Sequence, residues 1–260
     1  MMLQPAGYIR ALAEGLRAAG VRNAETSPVL RLARQGAGWQ LVTPHGRIAA
    51  GKVILANNGQ IESFGFGFGH GRLMHLFLYA SMTADLGPEA LRTLGGALRW
   101  GITPSDPMGT TMRRIDGPQG GNRIVTRTCA TFEPGMEASE AALRRTAAVH
   151  RRKFAERFPA LGSVRMEFSW AGHLCLSRNG VALMRELEPG LFAACVQNGL
   201  GTTRGTLTGI GAAELASGIE SAITRHFTAE ADPTPLPLEP LASFGASAYL
   251  RWKAWRASAE

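Results

Sequence analysis

The residues best placed to do chemistry are Asn198-Gly199-Leu200-Gly201-Thr202-Thr203-Arg204-Gly205. They follow a segment that reads as a buried strand, Leu191 to Gln197, and precede Leu207, Ile210, Leu215, Ile219 and Ile223 at helical spacing. A strand that runs through glycines into a helix leaves backbone N–H groups unpartnered at the positive end of the helix dipole. Such a start suits an anion or an electron-rich ring. The spacing is not the dinucleotide fingerprint, because Arg204 stands where a third glycine belongs, and no Gly-Lys-Thr follows to cradle a phosphate. Taken alone, such a loop is as often an ordinary strand-to-helix turn. A second segment, Lys52-Val53-Ile54-Leu55-Ala56-Asn57-Asn58-Gly59, reads as a buried strand ending in small residues. That ending either lets a ligand approach the backbone at the strand's carboxyl edge or simply packs against a helix.

Other chemistries are poorly provided for. Cys129, Cys175 and Cys195 have no close-spaced partner, which excludes a disulfide framework and a cysteine-rich zinc site. As lone thiols they read as small hydrophobes. The six histidines (His45, His70, His75, His150, His173 and His226) form no His-x-x-x-His or His-x-His pair, so no metal centre is expected. No Gly-x-Ser-x-Gly elbow marks a serine hydrolase. The net charge of +8 and the pI near 10.2 raise nucleic acid as a partner. Against that, only Lys52, Lys153 and Lys253 among the 28 basic residues are lysines, the arginines are scattered, and no aromatic–basic motif accompanies them. Nucleic acid is therefore not expected, and solvated arginine faces account for the charge.

The elements that must position these residues follow from periodicity. A helix begins at Pro5, with Tyr8, Ile9, Leu12 and Leu16 on one face and Gly20 at its end. Three short strands are expected at Pro28–Arg34, Gly38–Thr43 and Arg47–Ala50. A loop alternates Phe64, Phe66, Phe68 and His70 with Gly65, Gly67, Gly69 and Gly71. Strands follow at Met74–Thr83, Gly109–Ile115 and Asn122–Cys129, then a helix capped by Ser139 with the stripe Leu143, Ala147, His150, Phe154 and Phe158. Val164, Met166 and Phe168 alternate with polar residues as a half-buried strand, and Asn179-Gly180 predicts a hairpin between His173–Ser177 and Val181–Arg185. A Pro-rich tail after His226 ends in a short helix with Trp252 and Trp255.

The order of these pieces resembles the FAD-dependent oxidoreductases of the D-amino-acid oxidase type, which include glycine and sarcosine oxidases. Four stretches carry the resemblance. Pro5–Ala13 with Val29 is similar to the family's helix and the valine that touches adenine. Val53–Gly59 resembles its Ala-Thr-Gly strand end, with Asn57 for Thr. Trp170-Ala171-Gly172, with Asn179-Gly180, resembles the Trp-x-Gly and Asp-Gly elements. Asn198–Gly201 resembles the glycine loop at the flavin pyrimidine edge. The resemblance implies FAD as cofactor, an amine or amino acid as substrate, and oxidation of a C–N bond by hydride transfer to the flavin. It places Val29, Ala56, Asn57 and Gly59 on the adenine and ribityl side, and Gly199, Leu200, Gly201, Thr202 and Thr203 by the ring. Arg113, Arg114 and Arg127 become candidates for a substrate carboxylate, and Tyr79 and Trp100 for walls of that site. It names no catalytic residue.

The departures are as informative. The family opens with a strand and a Gly-x-Gly-x-x-Gly turn, whereas this chain contains that fingerprint nowhere, and Leu200 replaces a histidine found in several relatives. The expectation is therefore an α/β flavoprotein, N-terminally truncated, whose Rossmann-like FAD-binding domain is incomplete. Residues 1–62 and 169–228 would form that domain, residues 63–168 a substrate domain with an antiparallel or mixed sheet, and 229–260 the tail. A non-catalytic fragment or subunit completed by a partner chain is the alternative. Length and composition (260 residues, 45% hydrophobic, 18% charged) fit a globular chain and exclude a disordered, collagen-like or coiled-coil one. With no long apolar run and no signal pattern, a cytoplasmic protein with no membrane span is expected.

Overall fold

A computed structural model describes residues 3–65 and 71–259 of a mixed α/β protein. In chain order its strands are β1 (Arg31–Gln35), β2 (Gly38–Thr43), β3 (Gly46–Ala50), β4 (Val53–Leu55), β5 (Leu73–Thr83), β6 (Trp100–Ile102) and β7 (Thr111–Ile115). The remaining strands are β8 (Arg123–Phe132), β9 (Met166–Ser177), β10 (Leu183–Glu188) and β11 (Leu191–Cys195). The helices are α1 (Pro5–Ala18), α2 (Pro88–Leu94), α3 (Glu140–Arg157), α4 (Gly201–Ala216), α5 (Ala222–Thr228) and α6 (Leu241–Arg256). Two units emerge, one of Pro5–Met74 and Cys175–Pro237, the other of Met1–Gln4, His75–Leu174 and Leu238–Glu260.

The first unit holds two three-stranded sheets. The antiparallel meander β1-β2-β3 follows from the turn residues between alternating strands. Gly38 is required where β2 passes β3, since a Cβ there would lie 2.6 Å from the Ala50 carbonyl oxygen. The second sheet has the order β10-β11-β4, with β11 antiparallel to β10 and parallel to β4. Every residue of β11 is buried, as its unbroken apolar run requires. The long strand expected over 52–59 is confined to β4, because Asn58 adopts a left-handed φ of 52° and turns the chain into a short 3₁₀ helix, Asn58–Phe64. Asn179-Gly180 does form a turn, but no hairpin. β9 belongs to the other sheet, while β10 pairs with β11, so the chain changes sheets there.

Helix α4 packs on β10 and β11 through small residues, Thr208, Gly211 and Ala212. A Cβ at Gly211 would meet Ile223 at 2.9 Å and Met184 at 3.1 Å, so glycine sets how closely α4 approaches α5 and the sheet. The inward stripe expected of Leu207 and Ile210 is therefore on the exposed side. The stripe Ile9, Leu12 and Leu16 of α1 is exposed too, with Tyr8 joined to Thr206 of α4 by a 2.9 Å hydroxyl–hydroxyl bond.

The second unit is built on a five-stranded sheet of order β6-β7-β8-β5-β9. The pairs β6–β7, β7–β8 and β8–β5 are antiparallel. Ser139 caps α3 by accepting the Ala142 N–H, and Ala142, Thr146, His150 and Phe154 form its buried stripe. Phe154 packs with Ile124, Leu86 and Leu161. β9 is one strand of 12 residues, in which Phe168 is exposed although Val164 and Met166 pack inward. The terminal helix α6 is not short, with 16 residues, and packs against β8. The glycines and aromatics at 66–70 fall outside the described residues.

Candidate functional site

Because β4 and β11 are parallel neighbours, with Leu191 beside Val53 and Ala193 beside Leu55, their carboxyl ends open on the same edge. The two segments singled out by sequence, Lys52–Gly59 and Asn198–Gly205, are thereby brought together at the carboxyl ends of β4 and β11. The junction is fixed by side chains. Asn58 Oδ1 accepts the Val196 N–H at 2.9 Å, and the Cys195 thiol donates to the Leu55 carbonyl at 3.2 Å. Asn198 Oδ1 accepts the Ser177 N–H at 2.8 Å while its Nδ2 donates to the Val181 and Val196 carbonyls at 2.8 and 3.1 Å. Gln197 is held by its bond to the Ala194 carbonyl and by the Thr208 hydroxyl.

This edge is conformationally expensive. Asn58, Val196, Asn198 and Gly199 all have φ between 50° and 79°. Asparagine and glycine tolerate that region, but a β-branched valine there is a true outlier, held in place by the surrounding bonds. The sequence names Asn58, Asn198 and Gln197 within its two segments and the preceding strand but gives no sign that their side chains organise the edge. The available signal was asparagine directly after a strand, the residue that most readily takes a left-handed turn.

Helix α4 starts from this edge. Its cap position is Leu200, which offers no side-chain acceptor, and its first turn carries no acidic residue. Gly199, Leu200, Gly201 and Thr203 are exposed, Thr202 is half-buried, and nothing lies within 4 Å of where a Gly201 Cβ would project. The helix start is thus open, uncapped and positive, which fits an electron-rich group. Gly59 is buried, Asn57 half-buried and Ala56 exposed. Val29 is half-buried ahead of β1, in the meander rather than at this edge. Burial pushes the thiols of Cys175 and Cys195 up to about 12 and about 11, so neither is a thiolate nucleophile near neutral pH.

In the second unit, strand register sorts the five substrate candidates. Arg113 lies opposite Val125 and Arg127 opposite Thr111, which puts both arginines on one face of the sheet. Arg113 is exposed and Arg127 half-buried. Partial burial, and then the charge of Arg113, pull the Arg127 pKa below its ordinary value. Arg114 lies opposite Ile124 on the other face, only 3% exposed, donating to the Gly95 and Ala97 carbonyls at 2.5 and 2.9 Å. Tyr79 is fully buried against Ala142 of α3, with its hydroxyl 2.8 Å from that of Thr131. Trp100 packs at 6.0 Å from Phe158 in the Phe154 cluster. Tyr79 and Trp100 therefore lie in the core that packs against α3 and its end, Arg114 is buried beneath the 95–97 segment, and of the five only Arg113 and Arg127 share the opposite face.

A parallel strand pair whose ends feed glycine turns and an uncapped helix is the arrangement that can present a ligand site at the carboxyl edge of an α/β sheet. The chain belongs to the FAD-dependent oxidoreductase family, whose model matches residues 1–215. Glycine oxidase from Geobacillus kaustophilus superposes with a TM-score of 0.64 at 21% identity over 82% of this chain and 54% of that one. NikD, an amino acid oxidase essential for nikkomycin biosynthesis, gives 0.63 at 19% identity, covering 90% and 61%. L-Amino acid deaminase from Proteus myxofaciens gives 0.62 at 15%, covering 82% and 56%. The chain thus spans little more than half the length of these solved structures. No curated protein sequence is matched. Among the described residues no helix is long and apolar enough to cross a membrane.

Proposed function

We propose that this chain carries one side of an FAD site and serves the oxidation of a C–N bond in an amine or amino acid. The observation that carries this reading is the joined edge of β4 and β11, with α4 starting open and uncapped beside it. Bound there, FAD would supply the acceptor for a hydride leaving the carbon next to nitrogen. Gly199, Leu200, Gly201, Thr202 and Thr203 offer backbone N–H groups where negative charge collects on the reduced ring. Ala56, Asn57 and Gly59 leave room for the ribityl and adenine side, while Val29, which lies away from this edge, is kept as an adenine contact on the family resemblance alone. On their own sheet face, Arg113 and Arg127 offer the fork geometry that holds a substrate carboxylate.

The chain holds no Gly-x-Gly-x-x-Gly, so the pyrophosphate lacks its usual cradle within these residues and FAD affinity is weakened accordingly. A second reading, a fragment or subunit completed by a partner chain, is favoured by one specific observation. Among the described residues β4 pairs only with β11, and Ile54 of β4 is exposed. A strand added along β4 would cover both.

Absorbance of the purified chain after incubation with FAD and removal of the unbound portion tests the proposal. Flavin retained in stoichiometric amount, and bleached by an amine or amino acid, supports a stand-alone oxidoreductase. A colourless chain that gains flavin only with a partner supports the second reading, and a chain colourless under both conditions sinks both.

A further inference from the structure

Helix α6 is built inside out. Its sheltered side carries one large apolar residue, Leu250, among Ala242, Ser243, Ala246, Ser247, Lys253 and Ala254, all half-buried as the helix packs on β8. Its other five bulky apolar side chains point the other way. At 100° per residue Leu241, Phe244, Tyr249, Trp252 and Trp255 fall within one arc of about 140°. They are exposed, Phe244 to 77%, Trp255 to 73% and Trp252 to 47%. A helix that only closed a core would turn these residues inward, and a contiguous exposed aromatic patch marks an interaction site.

The helix is firmly seated in this orientation. Lys253, on the sheltered side, donates to Asp106, whose carboxyl that bond holds below its usual range. Lys153 of α3 donates to the Ser258 carbonyl just beyond α6, and Ala257 is buried. The aromatic face therefore belongs to the docked helix.

We propose that the outward face of α6 is a peripheral docking surface for an anionic lipid bilayer. Three features of the helix favour that occupant. It contains no Asp or Glu between Leu241 and Arg256, while Arg251 stands exposed at the edge of the aromatic arc and Arg256 exposed within it, in a chain of net charge +8. Arg256 lies over the Trp252 ring, 5.1 Å from its centroid, the pairing of cation and amphipathic ring suited to a headgroup layer. The aromatics project from a convex helix surface, which a bilayer accommodates by insertion to a depth of about 5–10 Å, whereas a protein partner would need a matching groove. A second copy is the poorer fit, because a two-fold contact through this face would set cationic edges against each other.

The test uses the whole chain with vesicles of phosphatidylcholine alone or mixed with phosphatidylglycerol, read by co-sedimentation and by tryptophan fluorescence. The expected result is binding to the mixed vesicles with a blue-shifted emission. The double variant Trp252→Ala/Trp255→Ala, both exposed and so compatible with folding, lowers partitioning at least about tenfold. Arg251→Gln/Arg256→Gln lowers it about fivefold per arginine and leaves any binding to neutral vesicles unchanged. A matching melting curve for each variant establishes that the fold is intact. Equal binding by the tryptophan variant overturns the proposal. So does an absence of vesicle binding, whether the chain is monomeric or self-associates through Trp255 in sedimentation analysis.

Discussion

Asn58 Oδ1 accepts the backbone N–H of Val196 at 2.9 Å, so the turn after β4 is tied directly to the turn after β11. Both residues sit at positive φ, 52° and 60°, and the bond holds the two strained turns together. Asn58→Ala removes the acceptor and leaves a Cβ-bearing residue less suited to that dihedral, for an expected loss of about 2–3 kcal/mol. Asn58→Gly removes the same acceptor but tolerates the dihedral, and loses about 1 kcal/mol less. Urea unfolding of the two variants checks the order. Two equal losses would show that the dihedral stores no strain.

The open start of α4 makes a prediction in which stability and ligand binding part company. Leu200 occupies the cap position without a side-chain acceptor. Leu200→Asp supplies one and complements the dipole, which stabilises the fold by about 1 kcal/mol. The same carboxylate stands where the proposed site gathers negative charge on reduced flavin, so FAD retention falls and the potential of any bound flavin drops. Thermal melting and flavin titration on one preparation decide it. A raised melting temperature with unchanged flavin binding would remove the ring from this helix start.

Much of the fold was legible in the sequence because apolar periodicity and turn residues act locally. β2 was bounded from Gly38-to-Thr43 alternation alone, and Ser139 announced the cap of α3. What escaped depends on contacts distant in sequence. The exposure of Leu207 and Ile210 follows from Gly211 drawing α4 close to Met184 and Ile223, which helical spacing cannot reveal. The missing hairpin at Asn179-Gly180 has the same origin, since the turn is correct locally but β10 finds its partner in β11. At the site, the glycine loop was visible as a motif, whereas the Asn58–Val196 bond spans 138 positions and belongs to the parallel pairing alone.

The register of β7 on β8 separates two neighbouring arginines by role. Arg114 lies in the core with its Nε unpartnered and its Nη1 spent on two carbonyls, so Arg114→Met is expected to cost about 2–3 kcal/mol in unfolding free energy. Arg127 is half-buried on the opposite face, and Arg127→Gln should alter stability by no more than about 0.5 kcal/mol. Its expected effect is on a carboxylate ligand, whose Kd rises about tenfold to a hundredfold while an uncharged amine is bound as before. Calorimetry with both ligands checks it. Equal loss for the two ligands would take the carboxylate away from Arg127.

The last prediction concerns acid. His150 of α3 is buried, with Nδ1 2.8 Å from the Ser81 hydroxyl and Nε2 3.1 Å from the Thr128 carbonyl oxygen. A neutral ring satisfies both by accepting at Nδ1 and donating at Nε2. Burial, which outweighs the Thr128 bond, lowers its pKa from the ordinary 6.5. His173, whose Nε2 lies 3.1 Å from Nδ1 of His75, is lowered by burial first and by that neighbour second. The unfolded chain therefore takes up protons near pH 6.5 that the folded chain refuses, so the stability conferred by neutral rings is complete above that value. It is lost as pH falls toward the lower folded values. Melting temperature should hold steady above about pH 7 and decline on acidification toward about pH 5. His150→Asn, less stable at neutral pH for want of the ring's packing, should show a shallower decline. A variant that parallels the parent chain at every pH would assign the acid sensitivity to His173 instead.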